Sequence, residues 1–279
     1  MATDPANLAA PPIRRIEFLT ACRFVFTQPE WFKSALLLAV LMFLPVLNQI
    51  VIYGYAYEIT ELLHRRPRDP YLPVDFRRFA GYATRGVWPF VVSLMVQTCL
   101  VPLVVVMLDG TMLGTMAVFG ANRTAGAIFA AVVVPIVLVI FMLLMVLMAV
   151  GLKPIMLRAG LSQDFAQTFK FAWLRDFLRR MWLETFLVNL FLLLASLVLV
   201  PLGCAVLFYG ALLAAALLTV VSGHLDWQLY ELYLARGGEP IPLRPLPADI
   251  PPVAASLSPV PMPEPAADQP TSPKSSASP

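Results

Sequence analysis

The residues in this chain best suited to chemistry are arginines. Between His64 and Phe90 the sequence reads HRRPRDPYLPVDFRRFAGYATRGVWPF, with six arginines, two aspartates and a run of aromatics. Guanidinium groups suit phosphate recognition because their planar fork matches phosphate oxygens two at a time. A second stretch, LSQDFAQTFKFAWLRDFLRRMW (Leu161 to Trp182), has the same make-up. Arg77, Arg78 and Arg85 in the first stretch, and Lys170, Arg179 and Arg180 in the second, are the candidate contacts to anionic lipid headgroups. Classical catalytic groups are scarce. His64 and His224 are the only histidines, neither at metal-ligand spacing from another ligand, and HLDW (His224 to Trp227) reads as an ordinary span-end feature. The chain has no Gly-x-Ser-x-Gly elbow, no His-Glu-x-x-His and no phosphate-binding glycine loop. No catalytic, cofactor-binding or metal-ligating residue is nominated. Glu58, Glu61 and Glu184 lie near the ends of apolar blocks, where they are expected to stay hydrated.

The elements that carry these residues are apolar. The chain has 279 residues, of which 59% are hydrophobic and 13% charged, and its mean hydropathy is +0.77. Gly86 to Leu108, Ala125 to Val150, Trp182 to Val200 and Leu202 to Gly223 each reach or approach the roughly 20 apolar residues that cross a hydrocarbon core. A fifth block within residues 31–63 carries Pro45 near its centre. The expected fold is all-α, a polytopic integral membrane bundle of five to six helices with interfacial amphipathic helices at the cytoplasmic side. Residues 1–12 and the tail 237–279, which holds thirteen of the twenty-six prolines, are expected to be disordered around a helical domain at 13–236. The polar, proline-bearing N-terminus does not read as a cleavable signal peptide. Cys22, Cys99 and Cys204 are scattered and read as small apolar residues.

An internal repeat organises the chain. LLLAVLMFLPVLNQIVIYG (Leu36 to Gly54) aligns without gaps on LLLASLVLVPLGCAVLFYG (Leu192 to Gly210), matching Pro45 with Pro201 and both Tyr-Gly pairs. The second copy suggests two spans broken at VPLG. If the first copy follows, LPVLN is a turn and Trp31 to Leu44 is about 21 Å long, short of the roughly 30 Å core. The alternative is one crossing with a proline kink. The basic loops His64–Arg85 and Gly151–Met181 are separated by two spans, so they share a side, and the positive-inside rule makes it the cytoplasm of an inner membrane. The C-terminal tail falls on the same side.

Within the second basic stretch an amphipathic helix is expected over residues 162–181. Ser162 is its N-cap and Asp164 sits at its positive end. Phe165, Phe169, Trp173, Phe177 and Met181 form an aromatic stripe, which either lies at headgroup depth or packs on the end of the bundle. Asn48, Gln49, Gln97 and Asn189 are the candidate intramembrane polar residues, suited to gluing helices or, near the proline break, to lining a cavity.

PVLNQIVIYGYAYEI, DFRRFAGYATRGVWPF and LRAGLSQDFAQTFKFAWLRDFLRRMW resemble the domain of unknown function family 4013, polytopic membrane proteins of bacteria and archaea, from about Thr27 to Gly238. The resemblance implies a helical membrane fold and a bacterial inner membrane, and brings no activity, cofactor or catalytic residue. Three functions remain open. The first is a non-enzymatic component that interacts with anionic lipid headgroups or with other membrane proteins, without nucleic acid. The second is a permease or channel for a small uncharged solute, and the third an enzyme acting on lipid headgroups.

Overall fold

The computed structural model describes residues 14–27, 30–65, 73–205 and 208–243, and all regular structure among them is helical. The helices are α1 (Phe18–Phe24), α2 (Trp31–Leu41), α3 (Leu47–Arg65), α4 (Phe79–Ala121), α5 (Arg123–Ser162), α6 (Phe165–Thr168), α7 (Phe171–Ala205) and α8 (Phe208–Ala235). Single 3-10 turns extend α1 at Val25–Thr27 and precede α4 at Phe76–Arg78. Residues 1–12, the arginines at 66 and 68, and the tail from 244 onward lie outside the described residues.

Four helices are long and apolar enough to cross a membrane: α4 with its leading turn, α5, α7 and α8. Their apolar surfaces are exposed over long stretches, from Leu94 to Leu147 and from Leu194 to Leu202. At 43 and 40 residues, α4 and α5 run about 65 and 60 Å, roughly twice the hydrocarbon thickness. The loop expected between Leu108 and Ala125 is almost wholly helical, and Asn122 alone breaks it. Asn122 is extended, and its side-chain oxygen accepts the N–H groups of Thr124 and Ala125 at 2.9 and 3.1 Å, which starts α5. Gly126 has no room for a Cβ against Phe119, so this hairpin closes tightly.

The first repeat copy breaks where the proline predicts. Met42 to Val46 separates α2 from α3, and Val46 takes a left-handed φ of 68°. The side-chain amide of Asn48 donates to the Met42 carbonyl at 3.2 Å, satisfying one orphan acceptor at the end of α2. α2 spans only about 16 Å and packs mainly on α8. The second copy breaks later than expected. α7 continues through Pro201 to Ala205, because one proline removes a single helical hydrogen bond. Gly203 is spent on close approach rather than on a turn, since its backbone meets that of Gly210 on α8.

The helix expected at 162–181 is three separate pieces. Ser162 closes α5, its hydroxyl donating to the Arg158 carbonyl at 2.8 Å, and Gln163 reverses the chain with a φ of 52°. Asp164 performs the capping expected of Ser162, accepting the Ala166 N–H at 2.9 Å to start α6. From Phe171 onward α7 is continuous, so the rest of the basic-aromatic segment is the opening third of a helix long enough to span the membrane.

The core gathers at the end of the bundle where α3 and α5 finish and α4 and α7 begin. Gly54 on α3 meets the Tyr82 backbone of α4, and Gly86 on α4 meets the Ile50 backbone of α3. These two glycines let the helices touch backbone to backbone. The tail boundary also moves. Residues 237–243 return along the bundle, where Trp173 Nε1 donates to the Glu239 carbonyl at 2.8 Å and the Ile241 N–H donates to Tyr230 Oη at 2.9 Å. Ile241 is buried, so ordered packing runs past residue 236.

Candidate functional site

Two buried polar assemblies occupy this end of the bundle. The first joins α3 to α4. Glu58 and Glu61 lie three residues apart, hence on one face of α3. Both are buried, at 4% and 1% exposure, contrary to the hydrated position expected of them. Arg85 sits between them, ion-paired with Glu61 and 3.9 Å from Glu58. Arg78 pairs with Glu58 at 2.6 Å and stacks over the Tyr82 ring, while Arg65 pairs with Glu61 at 2.7 Å. Charges this deep are held by being paired and hydrogen-bonded.

The second assembly is a pocket of about 240 Å³ bounded by α3, α5, α7 and α8. Lys153 of α5 reaches Asp226 of α8 at 2.6 Å across it, and its ammonium also contacts Ser222 Oγ at 3.4 Å. Both charged side chains are largely buried, and Tyr57, Asn189 and Thr219 add polar groups to the wall. Gly160 of α5 packs on the Tyr57 ring and leaves no space for a Cβ, fixing the ring's position.

His224 and Asp226 do not form a catalytic pair. Two residues apart on α8, they face different neighbours: His224 packs on Phe24 and Trp227 and accepts from Gln228 Nε2 at 3.1 Å, whereas Asp226 faces Lys153.

The residues singled out as headgroup contacts divide sharply. Arg85 is buried and Arg78 points inward to Glu58, which replaces the role expected of them, because carboxylates on α3 claim both guanidiniums. Lys170 pairs with Glu239 at 2.6 Å and Arg180 with Asp176 at 2.8 Å, both partly exposed. Arg77 and Arg179 are exposed and, with Arg175, make no ion pair within 4 Å among the described residues. The amides divide too. Asn48 caps α2, Gln49 is exposed, and Gln97 is exposed and donates to Ser93 Oγ at 3.0 Å. Only Asn189, whose amide also donates to the Thr185 carbonyl at 2.8 Å, reaches the pocket.

The aromatic stripe packs inward for most of its length. Trp173, Phe177 and Met181 are fully buried, with Trp173 and Phe177 stacked against each other and both meeting Tyr233 of α8. Phe165 stays exposed and touches Trp88 of α4. Arg158 is also buried, its Nε donating to the Gln167 carbonyl and its guanidinium lying 5.0 Å from the Trp173 ring.

The backbone contacts at Gly54 and Gly86, the ring contact at Gly160 and the cap at Asp164 fall in Tyr-Gly-Tyr, Arg-Gly-x-Trp-Pro-Phe and Arg-Ala-Gly-Leu-Ser-Gln-Asp-Phe. The family described as "Protein of unknown function (DUF4013)" matches residues 37–220. The chain belongs to that family. The DUF4013 match takes in α3 to α7, including Lys153, and the first part of α8, and stops six residues before Asp226. No curated protein and no solved structure matches the chain.

Proposed function

We propose that this DUF4013 protein is a non-enzymatic component of a bacterial inner membrane that holds anionic lipid headgroups at its basic, cytoplasmic end. The observation that carries the reading is the division among the arginines. Arg78, Arg85 and Arg158 are consumed by internal partners, while Arg77, Arg175 and Arg179 are exposed and make no ion pair within 4 Å among the described residues. They stand where the apolar faces of α4 and α7 begin, beside exposed Phe76 and Trp182. Cations next to exposed aromatics at the edge of an apolar surface suit an anionic leaflet, each worth about 1 kcal/mol near the surface. The positive-inside rule supports placing this end in the cytoplasm.

Reconstitution into nanodiscs with graded phosphatidylglycerol tests the reading. Wild-type protein is expected to enrich phosphatidylglycerol in its lipid shell, and the triple variant Arg77→Ala, Arg175→Ala, Arg179→Ala is expected to lose that enrichment while folding normally. Equal shells for both proteins would refute it. Flux of a small uncharged solute above that of empty vesicles would favour a permease.

A further inference from the structure

The Lys153–Asp226 pocket is not used by the exposed arginines, and its chemistry differs from theirs. We infer that it is a binding site for one zwitterionic lipid headgroup, in which the Lys153 ammonium takes the phosphate and the Asp226 carboxylate takes the headgroup amine. The inference rests on the reading of the protein as a lipid-holding membrane component and names a lipid that the basic surface does not select.

Four observations converge on it. First, the pair bridges a gap: α5 packs on α4 and α7 but has no extensive backbone packing with α8, so Lys153 spans open space of about 240 Å³. Second, the two charges cancel, so the pocket has no preference for a net anion and offers one pole to each end of a zwitterion. Third, the pairing is incomplete. Lys153 at 2.6 Å is the one donor that reaches Asp226 Oδ1 among the described residues, and the contact of Lys153 with Ser222 is long at 3.4 Å. A carboxylate oxygen has two lone pairs, so this buried one has room for a further donor. Fourth, the pocket sits where an amphiphile's polar end belongs. Lys153 is the first charged residue on α5 after Arg123, so it marks the end of a 29-residue uncharged run. Ile52, Leu152 and Met156 line the same pocket and suit the glycerol and first acyl carbons.

The remaining polar groups complete both halves. Asn189 spends its N–H on the Thr185 carbonyl, which leaves its side-chain oxygen to accept from the headgroup amine. Ser222, whose hydroxyl can donate, lies beside Lys153 on the phosphate side. The neutral Tyr57 hydroxyl can serve either pole without adding charge. Binding exchanges one internal ion pair for two pairs with the ligand, so the protein carries the same net charge before and after.

The test uses full-length protein in detergent, titrated separately with phosphatidylethanolamine, phosphatidylglycerol of the same acyl chains, and soluble glycerophosphoethanolamine, with adducts counted by native mass spectrometry. One phosphatidylethanolamine is expected to bind with a preference of about tenfold or more over phosphatidylglycerol, the ratio that one well-made polar contact supplies. Lys153→Met with Asp226→Leu is expected to abolish the preference, since apolar replacement of a buried pair commonly preserves the fold. Should that variant not fold, Ser222→Ala with Asn189→Leu, which leaves the ion pair in place, is expected to weaken phosphatidylethanolamine binding severalfold. A wild type without the preference, or a folded variant of either kind that keeps it in full, would overturn the inference. So would glycerophosphoethanolamine binding as tightly as the lipid, which would make the ligand a free solute. Loss of the preference with phosphatidylglycerol enrichment at the basic end intact would leave the proposed function standing and remove only this site.

Discussion

Removing the Arg85 side chain should damage this protein far more than removing any other arginine of its loop. Arg85 is 5% exposed and sits between two carboxylates on one face of α3, themselves 4% and 1% exposed. In Arg85→Ala, Glu58 retains Arg78 and Glu61 retains Arg65, but both of those guanidiniums come from the more exposed rim. The two carboxylates then share a buried face without the cation between them. Breaking a buried charge assembly by deleting one partner costs about 3–5 kcal/mol. Arg85→Ala should fall at the lower end of that range because each acid keeps one partner. Arg85→Lys should recover only part, since an ammonium cannot present a fork to two acids. Arg77→Ala, on the exposed side of the same segment, should change stability by about 0.5 kcal/mol or less. Denaturant titration in mixed micelles, followed by tryptophan fluorescence, reads all three. A double-mutant cycle of Arg85→Ala with Glu61→Ala should give a coupling of about 2 kcal/mol or more. A cost for Arg85→Ala no larger than that for Arg77→Ala, or a coupling near zero, would refute the reasoning.

Gly86→Ala and Gly54→Ala each drive a Cβ into the backbone of the facing helix, where no side chain can move aside, and should cost at least about 1–3 kcal/mol in the same titration. Phe177→Ala empties a fully buried site against Trp173 and Tyr233 and should cost about 3–5 kcal/mol, whereas Phe171→Ala, at 76% exposure, should leave stability in micelles almost unchanged. Val46→Gly relieves a β-branched residue at φ 68° and should raise the unfolding midpoint, by about 1 kcal/mol in stability.

Apolar run length is enough to locate the crossing helices, since about 20 continuous apolar residues match a helix across hydrocarbon, whereas a barrel strand needs only about ten. Their ends were harder to place. Pro45 breaks the chain while Pro201 does not: Asn48, three residues beyond Pro45, caps α2, whereas Gly203 is engaged with Gly210 of the next helix. Nothing local to Pro201 records that second partner. The same limit explains the arginines. Arg77, Arg78 and Arg85 look alike along the chain, yet the carboxylates that sort them lie on a preceding helix, at Glu58 and Glu61. One signal was present in retrospect. Asp75 caps the turn at Phe76–Arg78, so the direction of α4 and the face carrying Arg78, Tyr82 and Arg85 follow at spacings of four and three. Pairing that face with the Glu58–Glu61 face of α3 would have suggested the buried network. The pocket had no comparable signal, because Lys153, Asn189 and Asp226 come from three helices brought together by the fold. Their charge places Lys153 and Arg158 in the basic loop Gly151–Met181, yet both lie inside α5.

Whether this protein holds lipid, rather than moving solute or transforming a substrate, can be read by extracting it from its native membrane into polymer-bounded discs. The retained lipids are then compared with the bulk membrane. Anionic lipid is expected to be enriched around the wild type, and the enrichment lost when Arg77, Arg175 and Arg179 are all alanine. A lipid shell identical to the bulk membrane, in wild type and variant alike, would show that the protein does not hold anionic lipid.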